Sequence, residues 1–94
     1  MAKIDWQRAE WADDERVLDV FLGGVMVTVA PHDDDGDWVW TVRATSEVSE
    51  HPELYDCGTA PTESAAKGAA VKSGRKAAQA YAARRAELAK ERER

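Results

Sequence analysis

The sequence predicts a small α+β domain: an antiparallel sheet of three or four strands with one long C-terminal helix packed on one face. Three observations lead there. From Arg16 to Ala44, apolar and polar side chains alternate with a period of two, broken only at Gly23-Gly24 and at an Asp35-Gly36 pair. From Glu63 to about Arg92 no proline occurs and alanine dominates. The whole chain is 94 residues, which suits one domain spanning 1–94 that buries roughly two-thirds of the surface its unfolded form exposes.

The first fifteen residues, MAKIDWQRAEWADDE, satisfy two templates. Ile4 and Trp6 alternate as in a strand, whereas Ile4, Gln7, Glu10, Trp11 and Asp14 follow helical spacing, so a short helix or a loose strand anchored by Trp6 and Trp11 is expected. RVLDVFL and VMVTVA then flank Gly23-Gly24, a pair suited to the positive φ of a two-residue hairpin turn. Pro31 stops the second strand, and WVWTVRA resumes the alternation after PHDDDGD. On this third strand Trp38, Trp40, Val42 and Ala44 share one face, and Val39, Thr41 and Arg43 the other. The short piece LYDC adds an edge strand, with Gly58 and Pro61 expected to end the sheet.

Thr62 is placed to cap the helix and Glu63 to favour its first turn. Ala66, Ala69, Ala70, Ser73, Ala77, Ala80, Tyr81 and Leu88 form its small, apolar stripe. Residues 89–94, AKERER, have no apolar partner and are expected to fray or project into solvent. One helix covers one sheet face. If Leu18, Val20 and Leu22 lie beneath it, Val17 and Phe21 point the other way, with Met26 beside them, and that face needs the N-terminal segment, a partner or a second copy to cover it.

The net charge of −5 divides unevenly. Residues 1–62 carry four Lys and Arg against fourteen Asp and Glu, and residues 63–94 carry nine against four. An acidic body with a basic tail implies two surfaces suited to different partners, or attraction between them. No apolar run approaches the ~20 residues that cross a bilayer, and the N-terminus lacks the apolar core of a signal peptide, so a cytoplasmic location without membrane attachment is expected. The single Cys57 agrees with that compartment.

Chemical motifs are scarce. With Gly36 at position 6 of a calcium loop, Asp33 and Asp35 fall on ligand positions, but Pro31 and Val42 occupy the first and last. His32, His51 and Cys57 lack the paired short spacings of structural zinc. Nucleophile elbow, phosphate loop and His-Glu-x-x-His are all missing from the sequence. No enzyme activity, metal or cofactor is therefore expected.

What stands out instead is surface. Asp33, Asp34, Asp35 and Asp37 crowd one turn beside Trp38 and Trp40, a combination suited to meeting Lys and Arg on a partner while an indole supplies the desolvated anchor. Lys67, Lys72, Arg75, Lys76, Arg84 and Arg85 lie off the alanine stripe and offer phosphate contacts as the alternative.

The stretch GTAPTESAAKGAA, Gly58 to Ala70, resembles the start of the C-terminal helix in double-stranded-RNA-binding domains, a family built as a helix, three strands and a helix. In that family a lysine pair just after the cap grips phosphates; here those places hold Glu63 and Ser64, and Lys67 alone matches. In size and style the whole chain is similar to small phage and prophage accessory proteins, anti-CRISPR proteins among them. That resemblance implies a stoichiometric inhibitor working in the host cytoplasm, covering a surface of a bacterial defence complex such as a CRISPR effector. The expectation is thus a protein-binding inhibitor or adaptor. A nucleic-acid-binding module or a regulatory homodimer stands as the alternative.

Overall fold

The structure, a computed structural model, describes residues 4–32, 36–49, 51 and 53–92. Five strands and one helix follow one another: β1 (Gln7–Arg8), β2 (Leu18–Leu22), β3 (Val25–Pro31), β4 (Trp38–Ala44), β5 (Leu54–Ala60) and α1 (Glu63–Arg92). The strands form one antiparallel sheet in the order β1-β2-β3-β4-β5. The α+β architecture with α1 packed on the sheet is as the sequence implies, but the strands number five rather than three or four.

The difference arises at both edges. β1 is only two residues, Gln7 opposite Asp19 and Arg8 opposite Leu18, and is extended by the Ala9 amide donating to the Val17 carbonyl at 2.9 Å. It is the loose strand of the two N-terminal alternatives. Trp6 packs half-buried against the core, whereas Trp11 is exposed and anchors nothing there. At the other edge β5 runs through Gly58 to Ala60. Gly58 does not end the sheet; it makes room for Trp40, whose ring atoms lie 2.7–2.9 Å from where a β-carbon at residue 58 would be.

Gly23 and Gly24 have φ of 57° and 89°, closing the hairpin between the paired Leu22 and Val25. Between β3 and β4 the His32 amide donates to the Asp37 carbonyl at 2.8 Å. The register places Leu18, Val20 and Leu22 beside Val29, Val27 and Val25, and these in turn beside Trp40, Val42 and Ala44. Those rows, with Val48 and the helix residues Ala66, Ala70 and Ala77, form the core. Burial of this apolar surface is the main force holding α1 to the sheet.

The helix begins where the sequence indicates. The Thr62 hydroxyl accepts the Ala65 amide at 3.1 Å, and Glu63 pairs with Lys67 one turn on at 3.1 Å. Small residues then allow close approach. At Gly74 a β-carbon would stand 2.6 Å from Val27 Cγ2, so the helix backbone rides directly on the central strand. Ser73, buried beside it, donates its hydroxyl to Asp56 at 2.6 Å. The chain stays helical through Arg92, with Leu88 buried, residues 89–92 exposed and the Arg92 guanidinium donating to the Ser46 carbonyl at 3.0 Å. No helix among the described residues is long and apolar enough to cross a membrane.

Candidate protein-interaction surface

Because strand side chains alternate, packing Leu18, Val20, Leu22, Trp38 and Trp40 toward α1 turns the intervening residues to the opposite face. The register aligns them in rows across the sheet: Phe21, Met26, Arg43 and Leu54 in one; Asp19, Thr28, Thr41 and Cys57 in the next; Ala30, Val39 and Thr59 in a third. No helix among the described residues lies over these rows. Met26, Thr28, Ala30, Val39, Thr41 and Arg43 from these rows line a groove of about 640 Å³ that Trp11 also borders.

Trp11 lines the groove, and Phe21 stands on the same face beside Met26. Trp11 is 68% exposed and Phe21 61%, and Leu54 lies half in solvent at the β5 edge. Trp11 is held by its indole N–H, which donates to Asp19 Oδ2 at 3.2 Å. The turn leading from Trp11 into β2 is braced by Asp14, whose carboxylate accepts from the Arg16 amide and guanidinium at 2.8–3.1 Å; those hydrogen bonds hold the Asp14 carboxyl below the usual carboxylate range. Val17, expected on this side, is buried next to Ala9 and so does not contribute. Arg43 also lines the groove and makes no ion pair among the described residues. Glu53, at the rim, accepts the Tyr81 hydroxyl at 2.9 Å, and burial followed by this carboxylate raises the Tyr81 pKa.

The residues singled out from sequence are placed differently. Trp38 and Trp40 are half-buried on the helix side, where Trp40 lies over Gly58 and borders a hollow that Ala69 and Ser73 also line. Asp37 is exposed at the entry to β4, and Asp33, Asp34 and Asp35 lie outside the described residues. The aromatic groups bordering the open face are Trp11 and Phe21. Phe21 is legible from its parity against Val20 and Leu22. Trp11 is not, because it lies in a loop whose course depends on β1 pairing.

Comparison with protein-family models, curated proteins and solved structures finds no match to this chain. Its surfaces must be read from their own chemistry.

The basic residues separate into two groups. Lys67 is paired with Glu63 and stands 5.7 Å from the Trp6 ring centre, Arg84 pairs with Glu87 at 3.2 Å, and Arg85 reaches Glu47 at 3.9 Å. Lys72, Arg75 and Lys76 are exposed and make no ion pair among the described residues. With Lys67, Ile4 and Trp6 they border a shallow groove of about 550 Å³ on the flank of α1. Among the described residues no three His, Cys, Asp or Glu side chains come together as a metal site.

Proposed function

We propose that this protein works by binding protein, without catalysis, through its open sheet face. The observation that carries the reading is the one-sided cover: α1 screens one face of a five-stranded sheet and leaves on the other a groove lined by Met26, Val39 and Trp11, with Phe21 exposed beside Met26. Exposed aromatic and aliphatic side chains on rigid strands are the usual anchors of protein interfaces. The acidic turn at Asp33, Asp34, Asp35 and Asp37 would add long-range attraction for a cationic target. In its sharper form the activity is inhibition of a nucleic-acid-handling complex by the acidic turn itself, its carboxylates standing where phosphates would bind.

The test is a photo-crosslinking amino acid at Phe21, on the open face, and at Ala83, on the solvent side of α1. Irradiation is expected to yield protein adducts from position 21 and none from position 83. Equal or absent adducts at both positions would remove the open face from consideration.

A second reading is supported by Lys72, Arg75 and Lys76, three cations that meet no carboxylate among the described residues of a chain with an excess of acids. They would contact the phosphates of a nucleic acid. Titration with duplex RNA and duplex DNA at two salt concentrations tests it: binding that weakens steeply with salt and disappears in the Lys72→Gln, Arg75→Gln, Lys76→Gln variant supports the reading, and no binding at low salt excludes it.

A further inference from the structure

Resting on the proposal that the open sheet face binds protein, we infer that its occupant is a second copy of this chain, docked face to face about a two-fold axis. The argument is one of charge and position. Within the aligned rows of that face only two side chains are formally charged, Asp19 on β2 and Arg43 on β4, and they are opposite in sign. Glu53, at the rim, is engaged by the Tyr81 hydroxyl.

Asp19 lies in the row through Thr28, and Arg43 in the adjacent row through Met26. The midpoint between them therefore falls on β3, the middle strand of the sheet. A two-fold axis lying in the plane of the face, through that midpoint and perpendicular to the line joining the two residues, places Asp19 of each copy over Arg43 of the other. The same operation lays one sheet centrally on the other, so the charge pairing and the greatest overlap of apolar rows are satisfied together. This is the self-complementarity that a two-fold interface requires.

Electrostatics elsewhere on the molecule opposes self-association, since each copy carries a net charge of −5. Within the rows of this face the two charges cancel in the pair and the other side chains are uncharged, which leaves the rim carboxylate of Glu53 as the one negative group bordering it among the described residues. Arg43, without an ion pair among the described residues, gains a carboxylate, while Asp19 retains one oxygen after accepting the Trp11 indole. The face is small: strands of two, five, seven, seven and seven residues, at ~4.8 Å spacing and ~3.3 Å rise per residue, present roughly 450 Å² per copy, so the pair bury about 900 Å², the size of a weak, concentration-dependent contact.

The experiment measures the molar mass of the full chain by sedimentation from micromolar to millimolar concentration, for the wild type, Asp19→Arg, Arg43→Asp and the double reversal. Thermal melting by circular dichroism checks that each variant folds. The wild type is expected to dimerise. Each single reversal sets like charges against each other at two symmetry-related places and is expected to weaken the dimer at least tenfold, and the double reversal to restore it. A monomer at every concentration, single reversals without effect, or a folded double reversal that stays monomeric overturns the inference. A monomeric wild type whose residue-21 crosslinker still captures a different protein overturns the second copy as occupant and leaves the protein-binding reading intact; a monomer with no adduct removes both.

Discussion

The same substitution at two places on one helix should change stability in opposite directions. Gly68 and Gly74 both lie within the 30-residue α1, where glycine is about 0.8–1.0 kcal/mol less favourable than alanine. At Gly68 nothing lies within 4 Å of an added β-carbon, so Gly68→Ala is expected to stabilise by that amount. At Gly74 the β-carbon would stand 2.6 Å from Val27 Cγ2 and 3.1 Å from Leu22 Cδ1. Ordinary carbon contacts fall near 3.5–4.0 Å, so the new methyl group overlaps Val27 by about 1 Å. Val27 is fully buried on β3 and hydrogen-bonded between β2 and β4, which leaves it no direction of retreat. Overpacking of this kind costs about 1–3 kcal/mol, which outweighs the helix gain and leaves a net loss near 1 kcal/mol. For a domain of this size each kcal/mol corresponds to a shift of about 4–8 °C in Tm. Urea and thermal unfolding followed by tryptophan fluorescence should therefore show Gly68→Ala above the wild type and Gly74→Ala below it, at unchanged denaturant sensitivity. If both variants rise together, α1 does not press on β3 at Gly74, and close packing of helix on sheet at that point is refuted.

Other consequences are simpler to state. Thr62→Ala removes the hydroxyl that accepts the Ala65 amide and should destabilise by about 1 kcal/mol, with Thr62→Ser recovering most of it in the same melts. Gly58→Ala forces a methyl group against the Trp40 ring and should lower Tm while shifting Trp40 fluorescence; an unchanged spectrum and Tm would contradict the seating of that indole. Tyr81 has a raised pKa in the folded chain, so its contribution to stability is fully present below its ordinary value near 10 and is lost as pH rises through the higher folded value. The free energy of unfolding, measured from neutral to strongly alkaline pH, should accordingly fall more steeply in the wild type than in Tyr81→Phe.

Much of the fold is written in short-range pattern. Gly23-Gly24 between two alternating runs specifies a hairpin because few other residues tolerate positive φ at both positions. Thr62 and the proline-free alanine run mark α1 because capping and helix propensity act within a few residues. β1 is illegible for the complementary reason: two residues carry no periodicity, and they form a strand only because β2 supplies backbone partners. Gly58 resembles a terminator in sequence because its reason for being glycine, the Trp40 ring, lies on another strand.

The candidate surface divides the same way. Parity along β2 and β4 separates Phe21 from Val20 and Arg43 from Val42, since alternation is a property of any extended chain. Which of the two faces α1 covers is not contained in that alternation, and this choice turned Trp38 and Trp40 toward the core and left Trp11 beside the groove.

The amino-acid order alone determined where the chain turns, where its helix starts and which side chains share a face, because turn dihedrals, caps and pleat are local properties of the backbone. Tertiary structure decided which face is screened, how Asp19 and Arg43 lie about the central strand, and which cations find carboxylates, because those outcomes depend on how distant segments fill space together.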